Sequence, residues 1–353
     1  MAGSALIAGV SGIVGNNLAR HLLREGWQVS GLARRPPADI EGLKPVAADL
    51  LDAAGLRSAL EGERPSHVFI TTWLRQPTEA ENIRVNAAMV RNLLDALRPA
   101  GVQHVALVTG LKHYLGPFEN YGKGSLPATP FREEQPRLDI ENFYYAQEDE
   151  VFAASARDGF GWSVHRPHTI IGYAVGNAMN MGVTLAAYAT LCRETARPFL
   201  FPGSAAQWNG LTDMTDARLL ARQLEWAATT PAARNQAFNV FNGDVFRWSW
   251  MWGRIAEWFG LQPAPFPGQG TPLEGQLADA GPAWREIAAR HGLAEPDLSR
   301  LASAWHTDAD LGRPIEVVTD MSKSRRLGFL GYQATDDSFF DLFRTLRGAR
   351  IIP

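Results

Sequence analysis

Lys112, Tyr144 and Glu148 are the residues whose types and spacing most directly suggest chemistry. A phenol can give a hydrogen bond to an oxygen that gains negative charge, and an ammonium group beside it can stabilise that charge. Such a pair suits hydride transfer to an activated carbonyl compound. A widespread arrangement puts the lysine four residues after the tyrosine on one helix, where it lies beside the phenol and lowers its pKa. Here that position holds Glu148, a carboxylate that would do the reverse. The cation must come from elsewhere, and Lys112, 144 − 112 = 32 residues upstream, is the candidate. Tyr145 points about 100° away from Tyr144 around a helix; it is read as packing, with the donor role as its alternative. Glu148 either orients Lys112 or joins an ion pair on the helix face, and the structural role is preferred.

These residues need elements to position them. Ala5–Ala8 is a short apolar run that ends in Gly9-Val10-Ser11-Gly12-Ile13-Val14-Gly15, after which Leu18, Leu22 and Leu23 recur at helical spacing. Strand, glycine turn and helix in that order open a dinucleotide-binding βαβ unit. Strands are then expected at 27–33, 45–48, 67–71, 104–108 and 162–165, with helices at 52–60, 78–97 and 139–157. The strand at 104–108 delivers Thr109 and Gly110 to its carboxyl end, and the helix at 139–157 carries Tyr144. Alternation of this kind implies a doubly wound parallel sheet, an α/β Rossmann-type fold, with the ligand crevice beyond the carboxyl ends of the strands. Past Gly172 the alternation fades into helices at 179–194, 215–229 and 248–260, with a strand at 237–241. The expected organisation is a nucleotide-binding domain over 1–172 and a smaller, mostly helical substrate lobe over 173–353, from which 237–241 returns to the main sheet. The stretch 262–281, rich in proline and glycine, reads as a mobile excursion, and 117–136 as a surface loop.

In the cofactor turn, Gly9, Gly12 and Gly15 let the backbone approach a pyrophosphate, while the helix starting near Ile13 points amide donors and a positive dipole end at it. Sites selective for NAD usually end the second strand with an acidic residue that binds the ribose 2′-hydroxyl. This chain has Arg34-Arg35 there. Two guanidinium groups suit a 2′-phosphate, so NADPH/NADP+ is the expected cofactor.

Composition narrows the classes. With 353 residues and 46% hydrophobic content, the chain can bury a large core. A net charge of −3 argues against a nucleic-acid partner, which normally meets a basic surface. Cys192 is the single cysteine, so a disulfide framework is excluded. No apolar run reaches the roughly 18 residues of a membrane span, and the start has no basic leader region. A cytoplasmic protein without membrane contact is expected, and a homodimer is left open. The histidines show no ligand spacing, so no metal site is expected.

Thr109-Gly110-Leu111-Lys112-His113-Tyr114-Leu115-Gly116-Pro117-Phe118-Glu119, Asn142-Phe143-Tyr144-Tyr145 with Glu148-Asp149, Trp162–Pro167 and Ala237–Phe246 together resemble the progesterone 5β-reductase/iridoid synthase-like enzymes. These are a branch of the extended short-chain dehydrogenase/reductases, and the likeness runs from Ala5 to Pro353. The resemblance implies that Tyr144 and Lys112 are catalytic, and that Ser11, Ile13, Val14, Thr109, Gly110, Pro167 and Ile170 join the glycines and arginines in holding the cofactor. It also implies an adenine contact at Asp49-Leu50 and a wall at Thr71-Thr72-Trp73. Trp73, Phe118, Met179 and Trp305 are implied as an apolar substrate pocket. Two departures stand out: His168-Thr169 where plant members usually have Gly-Asn, and His306 where phenylalanine is common. A pocket that includes His306 would be more polar than the family's, which weakens any transfer of steroid or monoterpene specificity.

The resulting expectation is an NADPH-dependent ene-reductase acting on a small hydrophobic enone or enal, with Tyr144 and Lys112 stabilising the enolate oxygen. Two alternatives stand beside it: a carbonyl reductase or epimerase of the same fold, and a non-catalytic NADP(H)-sensing regulator. Glu148 argues against the former, and retention of both Tyr144 and Lys112 against the latter.

Overall fold

The computed structural model describes residues 3–117, 128–176 and 179–353. Nine strands are present among them: β1 (Ser4–Ala8), β2 (Gln28–Ala33), β3 (Lys44–Ala47), β4 (His67–Ile70), β5 (His104–Val108), β6 (Gly161–Pro167), β7 (Ile170–Ile171), β8 (Thr215–Asp216) and β9 (Gln236–Val240). Seven of them form one sheet in the order β3-β2-β1-β4-β5-β6-β9, with every neighbour parallel. The order reverses direction at β1, between β2 and β4, and that switch point opens a crevice at the carboxyl ends.

Both faces of the sheet are buried, because alternate residues of each strand point to opposite sides. Ala5, Ile7, Val29, Phe69 and Ala106 pack under the helices Ile13–Arg24 and Ala217–Thr229 through Leu18, Leu22, Leu220 and Leu224. Leu6, Ala8, Leu32, Val68 and Leu107 face the helices Glu79–Leu97 and Phe143–Asp158 through Val90, Leu93, Leu94 and Val151. Truncating a fully buried leucine such as Leu18 or Leu93 to alanine would cost about 2–5 kcal/mol. A third core lies wholly after residue 170, where Phe199 stacks on Trp252 with centroids 4.1 Å apart and Phe339 and Phe343 join them. The chain nevertheless passes back into the first region after residue 172: the helix Ala217–Thr229 covers the main sheet and β9 pairs with β6.

Three elements differ from expectation. The helix expected from Asp139 starts at Phe143, because Asn142 is the N-cap and its Oδ1 accepts the Tyr144 amide at 3.0 Å. Thr215 and Asp216 do not begin a helix; they pair with Ile170 and Ile171 as a two-stranded sheet, and Asp216 then caps the helix by accepting from the Arg218 amide at 2.7 Å. The proline- and glycine-rich stretch after Gln262 is anchored: Phe266 stacks on Trp208 at 4.9 Å, and Leu273 is buried at the start of the short helix Leu273–Leu277. No helix among the described residues is long and apolar enough to cross a membrane.

Candidate active site

A cavity of about 650 Å³ occupies the crevice. Its floor is the turn after β1. Gly9 has φ +94°, and a Cβ there would lie 2.6 Å from the Thr72 Cβ. A Cβ on Gly15 would lie 2.3 Å from the Gly9 carbonyl oxygen, so the helix can approach the strand only with glycine there. Gly12 caps the helix Ile13–Arg24 without a side-chain bond, and the first turn contains no acidic residue. Its amides and positive dipole end are thus available to an anion. Gly9, Ser11, Gly12, Ile13 and Val14 line the cavity, and so do Thr71, Thr72 and Trp73 at the end of β4. The donor set and the cradle fit a dinucleotide pyrophosphate.

The two arginines divide. Both are exposed, but Arg35 lines the cavity and Arg34 does not. Neither Asp49 nor Leu50 lines it. Asp49 accepts from the Leu51 amide at 2.9 Å, closing its own turn, while Leu50 is drawn into the core with Leu56 and Leu60.

β5 carries Thr109 and Gly110 to the cavity, with the Thr109 amide bonded to the His165 carbonyl at 2.8 Å. The short helix Lys112–Leu115 follows at once. Lys112 is only 7% exposed, and its ammonium lies 5.2 Å from the Trp73 ring centre and 5.0 Å from that of Phe143. Those two rings stack with centroids 5.0 Å apart. Tyr144, also 7% exposed, brings its hydroxyl over Gly110, 3.4 Å from where a Cβ would stand. Lys112, Tyr144, Pro167 and Ile170 all line the cavity.

Tyr145 turns elsewhere: its hydroxyl donates to the His113 carbonyl at 2.6 Å and accepts from the Leu138 amide at 3.0 Å. Glu148 is buried, with Arg137 at 2.8 Å and Arg166 at 3.6 Å. His113 lies 3.9 Å from the same carboxylate, but burial and the nearby Arg166 push its pKa down to about 3, so it is neutral. Glu148 thus answers to arginines of the surrounding structure.

The opposite wall is more polar than the sequence suggested. His168, Thr169, His306, Asp310 and Arg313 line it, with Arg300. Arg313 donates to His168 Nε2 at 2.6 Å and pairs with Asp310, which also accepts from the Thr169 hydroxyl at 2.7 Å. Because a guanidinium can only donate, His168 Nε2 is an acceptor, and its Nδ1–H points at Asp213 Oδ1, 2.9 Å away. Asp213 is completed by the amide and hydroxyl of Thr319 at 2.6 and 2.7 Å. Burial works to raise the pKa of Asp310, but Arg313, His306 and the Thr169 hydroxyl outweigh it and hold the carboxyl below its ordinary range. Burial lowers the pKa of His306 against the opposing pull of Asp310, and Arg313, Lys112 and Arg75 lower it further.

The expected apolar pocket is therefore partly replaced. Trp73, Met179 and His306 line the cavity; Trp305 does not, and instead carries the Arg75 guanidinium 3.8 Å above its ring. Phe118 lies outside the described residues. Asp310 and Arg313 were missed: their i,i+3 spacing signals a pair, but it does not say that the pair faces a cavity. Val108, Leu111, Val175 and Gly176 complete the lining and carry no signal of their own in the sequence.

Comparison with known proteins agrees over nearly the full length. The model of the PRISE-like Rossmann-fold domain matches residues 60–353. An (S)-8-oxocitronellyl enol synthase of Camptotheca acuminata is 40% identical over 99% of this chain and 93% of its own. A 3-oxo-Δ(4,5)-steroid 5β-reductase of Arabidopsis thaliana is 39% identical over the same shares. Among solved structures, the Bordetella bronchiseptica enzyme WbmG in complex with NAD superposes with a TM-score of 0.69 at 16% identity, covering 100% of this chain and 96% of that one, a likeness of fold. With a family model matched over most of its length and relatives near 40% identity, the chain belongs to the PRISE family, the progesterone 5β-reductase and iridoid synthase-like branch of the extended short-chain dehydrogenase/reductases.

Proposed function

We propose that this protein is an NADPH-dependent ene-reductase that reduces the conjugated C=C bond of small enones and enals. The observation that carries the reading is that Tyr144 and Lys112 both line a cavity that also contains the glycine turn after β1. Membership of a family whose named relatives include an enol synthase and a steroid 5β-reductase supports the same chemistry.

Gly9, Ser11, Gly12, Ile13 and Val14 would hold the pyrophosphate, Arg35 with Arg34 the 2′-phosphate, and Thr109, Gly110, Pro167 and Ile170 the nicotinamide end. When bound, the reduced nicotinamide supplies a hydride to the β-carbon of the substrate. Tyr144 gives a hydrogen bond to the carbonyl oxygen, and Lys112 opposes the negative charge that grows there as the enolate forms. Trp73 and Phe143 exclude water around the ammonium, so its field is less screened than at a surface. The α-carbon takes its proton afterwards, from water.

The substrate side is built largely from residues after 172: Val175, Met179, His306, Asp310 and Arg313. Its polar wall favours compact enones with a polar substituent over steroids. A carbonyl reductase would need to protonate an alkoxide, and the lysine that commonly serves that relay is here Glu148, held by Arg137.

NADPH consumption with 2-cyclohexen-1-one and acyclic enals, with products identified by mass spectrometry and NMR, tests the proposal. The saturated carbonyl compound is expected. Mainly allylic alcohol, or turnover of saturated ketones with none of enones, would replace this reading by carbonyl reduction.

A further inference from the structure

Lys112 and Tyr144 sit on different helices, 32 residues apart (144 − 112), so something other than helix geometry must fix their separation. The run Asn142-Phe143-Tyr144-Tyr145 supplies the attachments. Asn142 is 3% exposed, and its side chain touches the backbone of both candidate residues: Oδ1 accepts the Tyr144 amide at 3.0 Å, and Nδ2 donates to the Lys112 carbonyl at 2.7 Å. The Phe143 amide is bonded to Glu79 Oε1 at 2.7 Å, and its ring lies beneath the Lys112 ammonium. The Tyr145 hydroxyl grips the next carbonyl along, that of His113. Two successive carbonyls of the short helix are thus held by two side chains of the helix that carries the phenol.

We propose that Asn142 and Tyr145 are positioning residues, a clamp that sets the distance and orientation between Lys112 and Tyr144. The proposal rests on the reading of Lys112 and Tyr144 as the reacting pair. Four residues make one turn, so the helix Lys112–Leu115 has little stability of its own. Its placement must come from contacts outside it. An error of about 1 Å in a reacting constellation can cost on the order of 10²-fold in rate, so a clamp of this kind acts on turnover rather than on cofactor binding.

A purely structural cap and a clamp give different mutational patterns. Asn142→Asp keeps an N-cap acceptor for the Tyr144 amide but replaces the donor to Lys112 by an acceptor; Asn142→Ser keeps the cap through a single, shorter hydroxyl that does not span both groups as the amide does; Asn142→Ala loses both. The clamp predicts that all three lower kcat by roughly 10- to 100-fold, with the dissociation constant for NADPH within about twofold of wild type and with Tm restored in Ser and Asp. Tyr145→Phe, which deletes only a hydroxyl, should lower kcat in the same direction. Tyr114→Phe is the control: it removes the hydroxyl that donates to Asn239 at 2.7 Å from the same short helix without freeing either gripped carbonyl, and it should leave kcat unchanged. Recovery of wild-type kcat in Asn142→Ser together with its Tm, alongside normal turnover in Tyr145→Phe, would reduce Asn142 to a cap and overturn the clamp. All rates are taken relative to wild type on whichever carbonyl substrate it reduces, so a wild type that makes alcohols would sink the enone reading and leave the clamp under test. Crystal structures of wild type and Asn142→Ser give an arm independent of activity: an unmoved Lys112 would also refute the clamp.

Discussion

Replacing Lys112 by methionine tests the proposed reaction at its electrostatic centre. Methionine keeps an unbranched side chain that packs against aromatic rings, so the Trp73 and Phe143 cage keeps an occupant while the charge disappears. Two charges about 4 Å apart interact by about 4 kcal/mol at an effective dielectric of about 20. Part of that is present with the polarised ground-state carbonyl, which leaves about 3 kcal/mol specific to the transition state, or roughly 10²-fold in kcat. The loss of cation–π attraction to the two rings is of similar size, about 2 kcal/mol when desolvated. It falls equally on ground and transition states and therefore appears in Tm, not in turnover. Stopped-flow single turnovers following NADPH absorbance give the chemical step, and nicotinamide fluorescence gives the binding constant. A kcat down by about 10²-fold with cofactor affinity changed less than about threefold is the expected result. Tyr144→Phe should give a loss of the same order, and the double variant should lose less than the product of the two, since both groups act on one oxygen. If Lys112→Met turns over a good enone within about threefold of wild type, the assignment of the charge to Lys112 is wrong.

Arg34→Ala with Arg35→Ala should weaken NADPH binding by about 1–3 kcal/mol and leave NADH nearly unaffected; because Arg35 lines the cavity and Arg34 does not, the single Arg35→Ala change should carry most of the loss. Equal weakening of both cofactors by calorimetry would show that neither arginine reads a phosphate. His306→Phe makes the polar wall apolar, and should shift the ratio of kcat/KM between a steroid enone and 2-cyclohexen-1-one toward the steroid by roughly tenfold, on the scale of 1–3 kcal/mol for pocket changes. An unchanged ratio would remove His306 from specificity.

What could be read from the sequence was local. The β1–turn–helix unit is legible because glycine spacing and a 3.6-residue apolar period both act within a dozen residues, and the structure adds the steric reason in the Cβ that Gly15 lacks. The register of Asn142 was not legible: Asp139 and Asn142 are both good caps, and the contacts that go with the later start, from Asn142 to the Lys112 carbonyl and from the Phe143 amide to Glu79, span 30 and 64 residues. The far wall failed for the same reason. Trp305 and His306 differ by one position on the helix Ala304–Leu311, so they point about 100° apart. Which of them faces the cavity depends on where that helix packs. Leu50 likewise packs with Val68, Leu94 and their neighbours, a placement that its place in the chain does not reveal.

Glu148 stands one helical turn after Tyr144. The carboxylate at the position of the usual lysine is tied into the surrounding structure by its partners. Arg137 and Arg166 hold it on the side of the helix that faces β6 and the preceding loop, with His113 uncharged beside it. An unpaired buried carboxylate near the phenol would cost several kcal/mol and would oppose the very charge the reaction develops. Paired with two guanidinium groups, it is compatible with the proposal that the cation comes from the end of β5, where Lys112 lines the same cavity as Tyr144. In the proposed reaction a charge supplied from a second element requires that the short helix carrying Lys112 be tied to the helix carrying Tyr144. The residues proposed to do so, Asn142 and Tyr145, bond to the Lys112 and His113 carbonyls and flank Phe143 and Tyr144 in the sequence.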